Sequence, residues 1–328
     1  MNFGIIGTNF ISDWFVSALP FAKAQATAVF SRKKETGALF ASRHAIPLVY
    51  DDLDAFLASD AFDAVYVASP NFLHESHAIR ALRAGKHVLC EKPAAPSLAG
   101  YLRMCEVAKE EGRTLMEAMR TVHDSLWERV KDALPRIGRV RSAHLAFCQY
   151  SSRYDKHLAG EYTNTFNPAL SNAALLDIGI YPIEAAVWLF GAPNGVTGKS
   201  LLLENGFEGA GEAVMAYRDA NVSVSYSKVA DSVLPSYILG ESGGVTVDKL
   251  VLPTRAIFRL RTGEELVLER EADDAPNNMH EETRDFIRAV RAGELLPFFE
   301  TTHAALSVCD ALRTAAGVRF PSDEDDAR

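Results

Sequence analysis

Lys92 is the residue whose place in the chain most directly invites chemistry. It follows the apolar run His87-Val88-Leu89-Cys90 and lies within Glu91-Lys92-Pro93. That pattern puts a lysine at the carboxyl end of a buried parallel strand, the rim where open α/β sheets bind ligands. An ammonium there can hydrogen-bond a hydroxyl or carbonyl oxygen and stabilise negative charge on it. A surface lysine followed by a turn is the alternative reading of the same three residues. Phosphate chemistry is suggested nearer the start. The first apolar run ends in Gly7-Thr8-Asn9-Phe10-Ile11-Ser12, where a dinucleotide fingerprint reads G-x-G-x-x-G or A. Only Gly7 matches it. Asn9 takes the place of the second glycine and is the non-glycine residue that best tolerates positive φ, while Ser12 is small enough for close helix packing. An ordinary strand-to-helix turn remains open at this stage. The second apolar run ends in Ser31-Arg32-Lys33-Lys34, without the acid that usually binds a ribose 2′-hydroxyl. Ser31 can donate a hydrogen bond and Arg32 can make a forked contact to phosphate. The pattern therefore favours NADP(H), with NAD(H) possible and a solvated basic helix start as the alternative.

These residues need a scaffold, and the chain between residues 3 and 118 supplies a repeating one. Short apolar runs (FGIIG, ATAVFS, PLVY, AVYVAS, HVLCEK, TLMEA) alternate with helical segments such as WFVSAL, ALFASRH, LDAFLAS and ESHAIRALRAG. Near-continuous apolar strands alternating with helices predict a doubly wound parallel sheet, a Rossmann domain over residues 1–120. Beyond residue 120 the rhythm changes. A helix near 124–134, a period-2 run over 139–150, an irregular stretch to about 172 and a helix through Trp188 lead into successive strands over 195–271. Two closing helices, 281–292 and 302–316, complete the expectation. The fold class is thus α/β, with a C-terminal α+β domain over residues 121–328 built on an open, mostly antiparallel sheet.

Composition narrows the function classes. Lys and Arg total 34 against 43 Asp and Glu, a formal net charge of −9, which argues against nucleic acid or anionic lipid as partner. Part of the acidity lies in Asp323, Glu324, Asp325 and Asp326, read as a solvated tail. Cys90, Cys105, Cys148 and Cys309 are far apart and fit neither a zinc clip nor a disulfide framework, so a reducing cytoplasm is expected. The first lysine is Lys23, and no signal-peptide pattern precedes it. The most apolar long window, residues 173–191, is broken by Asp177, Pro182 and Glu184, so no membrane span is expected. Gly240-Glu241-Ser242-Gly243-Gly244 satisfies G-x-S-x-G but leads into the strand pattern Val245-Thr246-Val247, so it reads as a hairpin turn. His74 and His77 have no convergent carboxylate or cysteine in sequence, and no metal site is expected.

The segments Ser69-Pro70-Asn71-Phe72-Leu73-His74 and Ala84-Gly85-Lys86-His87-Val88-Leu89-Cys90-Glu91-Lys92-Pro93 resemble the signature of the Gfo/Idh/MocA oxidoreductases. The resemblance extends to Glu117-Ala118 and to the stretch from Leu175 to Tyr181, and so spans nearly the whole chain. It implies an oxidoreductase acting on a secondary alcohol or its ketone in a sugar, polyol or cyclic diol. It also implies cofactor contacts from Gly7, Thr8, Asn9, Phe10, Ile11, Ser31, Arg32, Ser69, Pro70, Asn71, His74, Glu91 and Lys92, and a catalytic Lys92. In Asp177-Ile178-Gly179-Ile180-Tyr181, many family members end in a proton-transferring His. The Tyr here resembles the glucose-fructose oxidoreductase and dihydrodiol dehydrogenase branch, where Tyr fills that role. A tyrosine with an ordinary pKa of ~10 needs a nearby cation to act as base, and Lys92 is the expected source. Asp177 shares a face with Tyr181 if the helix runs unbroken through both, and is expected to position Lys92 or a neighbouring hydroxyl; Pro182 can kink it. Arg153, Tyr154 and Asn167, in the polar loop 149–168, are substrate or cofactor contacts on this reading, with a surface lid or a subunit contact as alternatives. Where relatives carry a glycine run, this chain has Ser171-Asn172-Ala173. The resemblance further implies a homodimer or a dimer of dimers, with the strands 213–217 and 222–226 as candidate surface. Two other activities occur among such proteins: a dinucleotide-binding sensor without turnover, against which Lys92 and Tyr181 speak, and an NAD-dependent glycosidase.

Overall fold

The computed structural model describes residues 1–320 and Asp323. They form two compact units, Met1–Arg120 with Asp273–Phe299, and Thr121–Ala272 with the residues from Glu300 onward. In the first unit, β1 (Asn2–Ile6), β2 (Gln25–Phe30), β3 (Leu48–Tyr50), β4 (Ala64–Val67), β5 (His87–Glu91) and β6 (Leu115–Ala118) make a six-stranded sheet in the order 3-2-1-4-5-6. Every pairing is parallel. Strands β4, β5 and β6 are buried on both faces, which is why their sequences are apolar without alternation, while the edge strand β3 is partly exposed. Between them run α1 (Phe10–Ala18), α2 (Lys34–His44), α3 (Leu53–Leu57), α4 (His74–Arg83) and α5 (Leu98–Glu110). Three of their starts are set by side-chain caps, Asn9 for α1, Asp52 for α3 and Ser97 for α5.

The second unit opens with α6 (Ser125–Ala133), capped by Asp124, and continues through β7 (Val140–Cys148), α7 (Tyr154–Leu158) and α8 (Ile180–Phe190). Strands β8 (Gly195–Leu202), β9 (Glu208–Ala216), β10 (Asn221–Ser227), β11 (Ser236–Gly240), β12 (Gly243–Val247), β13 (Arg255–Leu260) and β14 (Glu265–Glu269) join β7 in an eight-stranded sheet, ordered 14-13-12-11-7-10-9-8. All pairs are antiparallel except β7 with β10. The G-x-S-x-G stretch is the β11–β12 hairpin, as its sequel required. Ala213, Met215, Val222, Val224 and Tyr226 point into the core, leaving Val214 exposed on the other face. Each strand thus gives one face to the core, and it is the other face, with Val214, that the expectation of a subunit surface concerns.

Helix α9 (Met279–Ala292) departs from expectation. It was placed with the second domain, but it belongs to the first unit. Met279 and Phe286 are fully buried in the cluster around Phe3, Phe15 and Tyr66, and the Phe286 ring lies 5.9 Å from that of Phe3. The chain past α9 stays there, with Leu115 N donating to Leu295 O and Thr114 Oγ1 to Glu294 O. The closing helix α10 (Phe299–Ala316) follows. Asp323 was expected to be solvated, yet its carboxylate accepts from Arg313 Nη1 at 2.7 Å and from Phe320 N at 2.7 Å. Glu324, Asp325 and Asp326 lie outside the described residues. No helix among the described residues is long and apolar enough to cross a membrane.

Candidate active site

At the carboxyl end of the first sheet, Gly7 turns the chain with φ +108, and a Cβ there would lie 2.3 Å from the Ala68 carbonyl oxygen. Only glycine fits, on both counts. Asn9 was expected to exploit positive φ and does not. Its φ is −85; its Oδ1 accepts from Ile11 N (3.1 Å) and Ser12 N (3.2 Å), and its Nδ2 donates to Ala68 O (2.9 Å). Asn9 thus caps α1 and ties it to the end of β4, while Phe10 beside it is exposed. Ser31 is half-buried at the end of β2, its N–H donating to Tyr50 O, and Arg32 is exposed. A glycine cradle at a helix N-terminus, with a serine and an arginine at the end of the next strand, fits a phosphorylated dinucleotide.

Two residues expected to touch the cofactor face inward instead. His74 is 1% exposed, with Nδ1 at 2.8 Å from Pro93 O and Nε2 at 2.8 Å from Ser69 O. Burial pushes its pKa down, against the raising effect of the Pro93 and Ser69 carbonyls. It braces the loops at Ser69 and Pro93 from behind. His77 adds a second tie, its Nδ1 lying 3.0 Å from Ser69 Oγ. Glu91 is also buried; it accepts from Tyr66 OH and from Lys92 N. Burial raises its pKa, against the lowering effect of the neighbouring Lys92 charge. Ala94 N donates to Glu117 Oε1 at 2.6 Å, so the strand ends on either side of Lys92 are both anchored by carboxylates. Lys92 itself is half-buried at the rim, and Ser69, Pro70 and Asn71 form the neighbouring rim segment.

In the second unit, Tyr181 is the second residue of α8, 7% exposed, with its ring edge-on to Phe147 at 5.4 Å. The helix runs through both residues, but its hydrogen-bonding pattern changes between them. Leu175–Gly179 is a π-helical turn, so the four-residue spacing from Asp177 to Tyr181 no longer guarantees a shared face. Asp177 pairs with Lys228, a residue the sequence reading did not single out. The turn is held by Glu208, which is buried and accepts from Leu175 N (2.9 Å), Ser200 Oγ (2.5 Å) and Tyr226 OH (2.8 Å). Ser171 adopts φ +55 while fully buried, so it stands at a backbone position that favours glycine. Arg153 donates to Thr165 Oγ1 at 2.7 Å, Asn167 donates to Tyr162 OH and caps Ala169 N, and Tyr154 packs among Tyr150, His157 and Phe166. These three side chains hold their own loop in shape.

Residues 1–119 match the oxidoreductase family with an NAD-binding Rossmann fold, GFO/IDH/MocA, and residues 128–246 match the GFO/IDH/MocA C-terminal domain. The chain belongs to this family and is a nicotinamide-dinucleotide-dependent dehydrogenase or reductase. Among its relatives is the scyllo-inositol 2-dehydrogenase (NADP(+)) of Bacillus subtilis strain 168, 38% identical over 99% of both chains. The trans-1,2-dihydrobenzene-1,2-diol dehydrogenase of Mus musculus is 25% identical over 99% of both. A crystal structure of a 3-ketoreductase from Actinomadura kijaniata, in complex with NADP and TDP-benzene, superposes with a TM-score of 0.84 at 26% identity, covering 98% of each chain.

Proposed function

We propose that the protein uses NADP(H) to interconvert a secondary alcohol and its ketone on a sugar, polyol or cyclic diol. The observation that carries this reading is the half-buried Lys92 just past the carboxyl end of β5, in a segment whose backbone is fixed by Lys92 N donating to Glu91 and Ala94 N donating to Glu117. The named activities of the inositol, dihydrodiol and keto-sugar relatives support the substrate class, and two of the three carry NADP in their names. Residues Gly7 to Ile11 would hold the pyrophosphate, Ser31 and Arg32 the 2′-phosphate, and Ser69, Pro70 and Asn71 the inner part of the dinucleotide. When bound, that cofactor supplies the hydride acceptor or donor.

Oxidation removes a hydride from the carbinol carbon and a proton from its hydroxyl. Tyr181 takes the proton, and returns it in the reverse direction. Lys92 orients the substrate oxygen and offsets its developing negative charge. Asp177 accepts a hydrogen bond from a second hydroxyl. Arg153, Tyr154 and Asn167 shape the loop beside it. The four free cysteines, three of them buried, accord with a reducing cytoplasm, and a second copy of the chain is the expected partner. The test is a titration with NADPH and NADH, followed by a polyol and sugar panel with the preferred cofactor. NADPH is expected to bind more tightly and a cyclic polyol to be oxidised; preference for NADH, or turnover of glycosides without change in NADPH, overturns the reading.

A further inference from the structure

The end of β10 ties together several parts of the second unit. Lys228 N donates to Gly209 O (2.9 Å), Ser151 N donates to Lys228 O (2.9 Å), and Gln149 N donates to Ser227 O (2.8 Å). The start of the polar loop is thereby fixed to this strand. Tyr226 lies against Gly179 so closely that a Cβ on the glycine would come within 2.8 Å of the ring, and its hydroxyl donates to the same Glu208 that receives Leu175 N. Both ends of the π turn are therefore held from β10, directly at Gly179 and through Glu208 at Leu175. In the middle of that turn stands Asp177, on which the Lys228 ammonium closes.

Two features distinguish this pair from an ordinary surface ion pair. The Lys228 side chain is only 9% exposed while that of Asp177 is 38% exposed. A lysine taken out of water is strongly destabilising unless it is paired, so its position commits it to Asp177. The carboxylate offers about four acceptor sites and remains accessible from the solvent side. The arrangement presents an acceptor outward and hides its counter-charge behind it. The π turn is what makes this orientation available, since an insertion of this kind re-aims the residues it contains, and such turns recur at functional sites.

We infer that Lys228 is a positioning residue: it holds Asp177 as an oriented, ionised acceptor for a substrate hydroxyl and, by cancelling its charge, fits this part of the site to uncharged polyols. The inference rests on the polyol oxidoreductase reading above. It is tested by steady-state kinetics of the intact protein with a neutral cyclic polyol and with a sugar acid, in K228M, K228R, D177N and the D177N/K228M double variant. K228M is expected to raise KM for the neutral polyol roughly tenfold with kcat within about threefold, the loss of one charge-assisted positioning contact. K228R, which keeps the charge, recovers most of that loss. The double variant matches D177N within about twofold, because Lys228 acts only through Asp177. In D177N, where the ammonium stands uncompensated, discrimination against the sugar acid narrows. A general folding defect in K228M would give losses that multiply in the double variant and spare no kinetic constant. Unchanged KM in K228M, or multiplicative losses, overturns the inference alone. Absence of polyol turnover in the wild-type protein overturns the functional reading and this inference together.

Discussion

The two units arm their functional surfaces in opposite ways. In the first, polar side chains stand behind the rim and face backbone: His74 lies against Ser69 O and Pro93 O, Asn9 against Ala68 O and the start of α1, and Glu117 against Ala94 N. What lines the rim is loop backbone together with the half-buried Lys92 and the exposed Arg32. In the second, side chains are set by other side chains: Asp177 by Lys228, Arg153 by Thr165, Asn167 by Tyr162, and Tyr181 by Phe147. The difference teaches where substitutions should register. On the proposed function, changes behind the first rim should alter loop shape and so cofactor affinity, whereas changes in the second unit should alter substrate handling and leave the cofactor alone.

The largest effect expected from this contrast is on turnover. Tyr181→Phe and Lys92→Met should each lower kcat by about 10²–10⁴, while fluorescence titration shows NADPH binding nearly intact in both. A Tyr181→Phe protein that no longer bound NADPH would break the contrast outright. Next comes Arg32→Ala, which should weaken NADPH roughly 10- to 100-fold through loss of charge-assisted contacts to phosphate. NADH affinity, measured alongside, should barely move; equal losses for both cofactors would remove Arg32 from the 2′-phosphate. His74→Ala leaves a buried carbonyl without its donor, which costs about 1–3 kcal/mol of stability. Thermal melts should show that loss, and calorimetry should show weaker NADPH binding with KM for the polyol little altered. A shift confined to KM would place His74 with the second kind of residue.

The smallest effect concerns pH. Burial first, and then the charges of His74, Arg80 and Arg32, lower the His77 pKa from 6.5 to about 4. The unfolded chain therefore takes up this proton before the folded one does. The stability His77 contributes is complete above its unfolded pKa and is lost as pH falls from 6.5 toward 4. In a series of melts across that window, His77→Gln should decline less steeply than the parent; parallel curves would show that His77 does not carry this term.

Much of the first unit is legible in sequence because its rules are local. Apolar runs buried on both faces do not alternate, and Glu91-Lys92-Pro93 closes such a run, so the strand and the place of Lys92 just past its end are both visible. What the residues face is less legible. His74 has the spacing of a ligand-binding residue, and only the three-dimensional course of the Ser69 and Pro93 loops turns it inward. Asn9 keeps its place at the turn but works as a cap rather than through positive φ. Asp177 and Tyr181 sit in a sequence that reads as one helix, and nothing local marks the extra residue of a π turn. Lys228 closes a strand that was recognised, VSVSYSK, yet its partner lies 51 residues earlier in the chain, beyond any periodicity. The placement of α9 was missed for the same reason: its amphipathic pattern says that it packs, not against what.

That helix has a consequence for how the protein is made. A ribosome that has released only the first 120 residues has delivered every strand of the six-stranded sheet, but neither Met279 nor Phe286. Each of these side chains contributes about 1.5–3 kcal/mol by burial, and until they arrive the surface around Phe3 and Phe15 stays wet. The unit that begins first is thus completed only when synthesis reaches Phe299. Through most of translation the nascent chain carries an apolar vacancy that chaperones can hold, and a polypeptide ending before α9 would be a target for proteolysis rather than a free-standing dinucleotide-binding module.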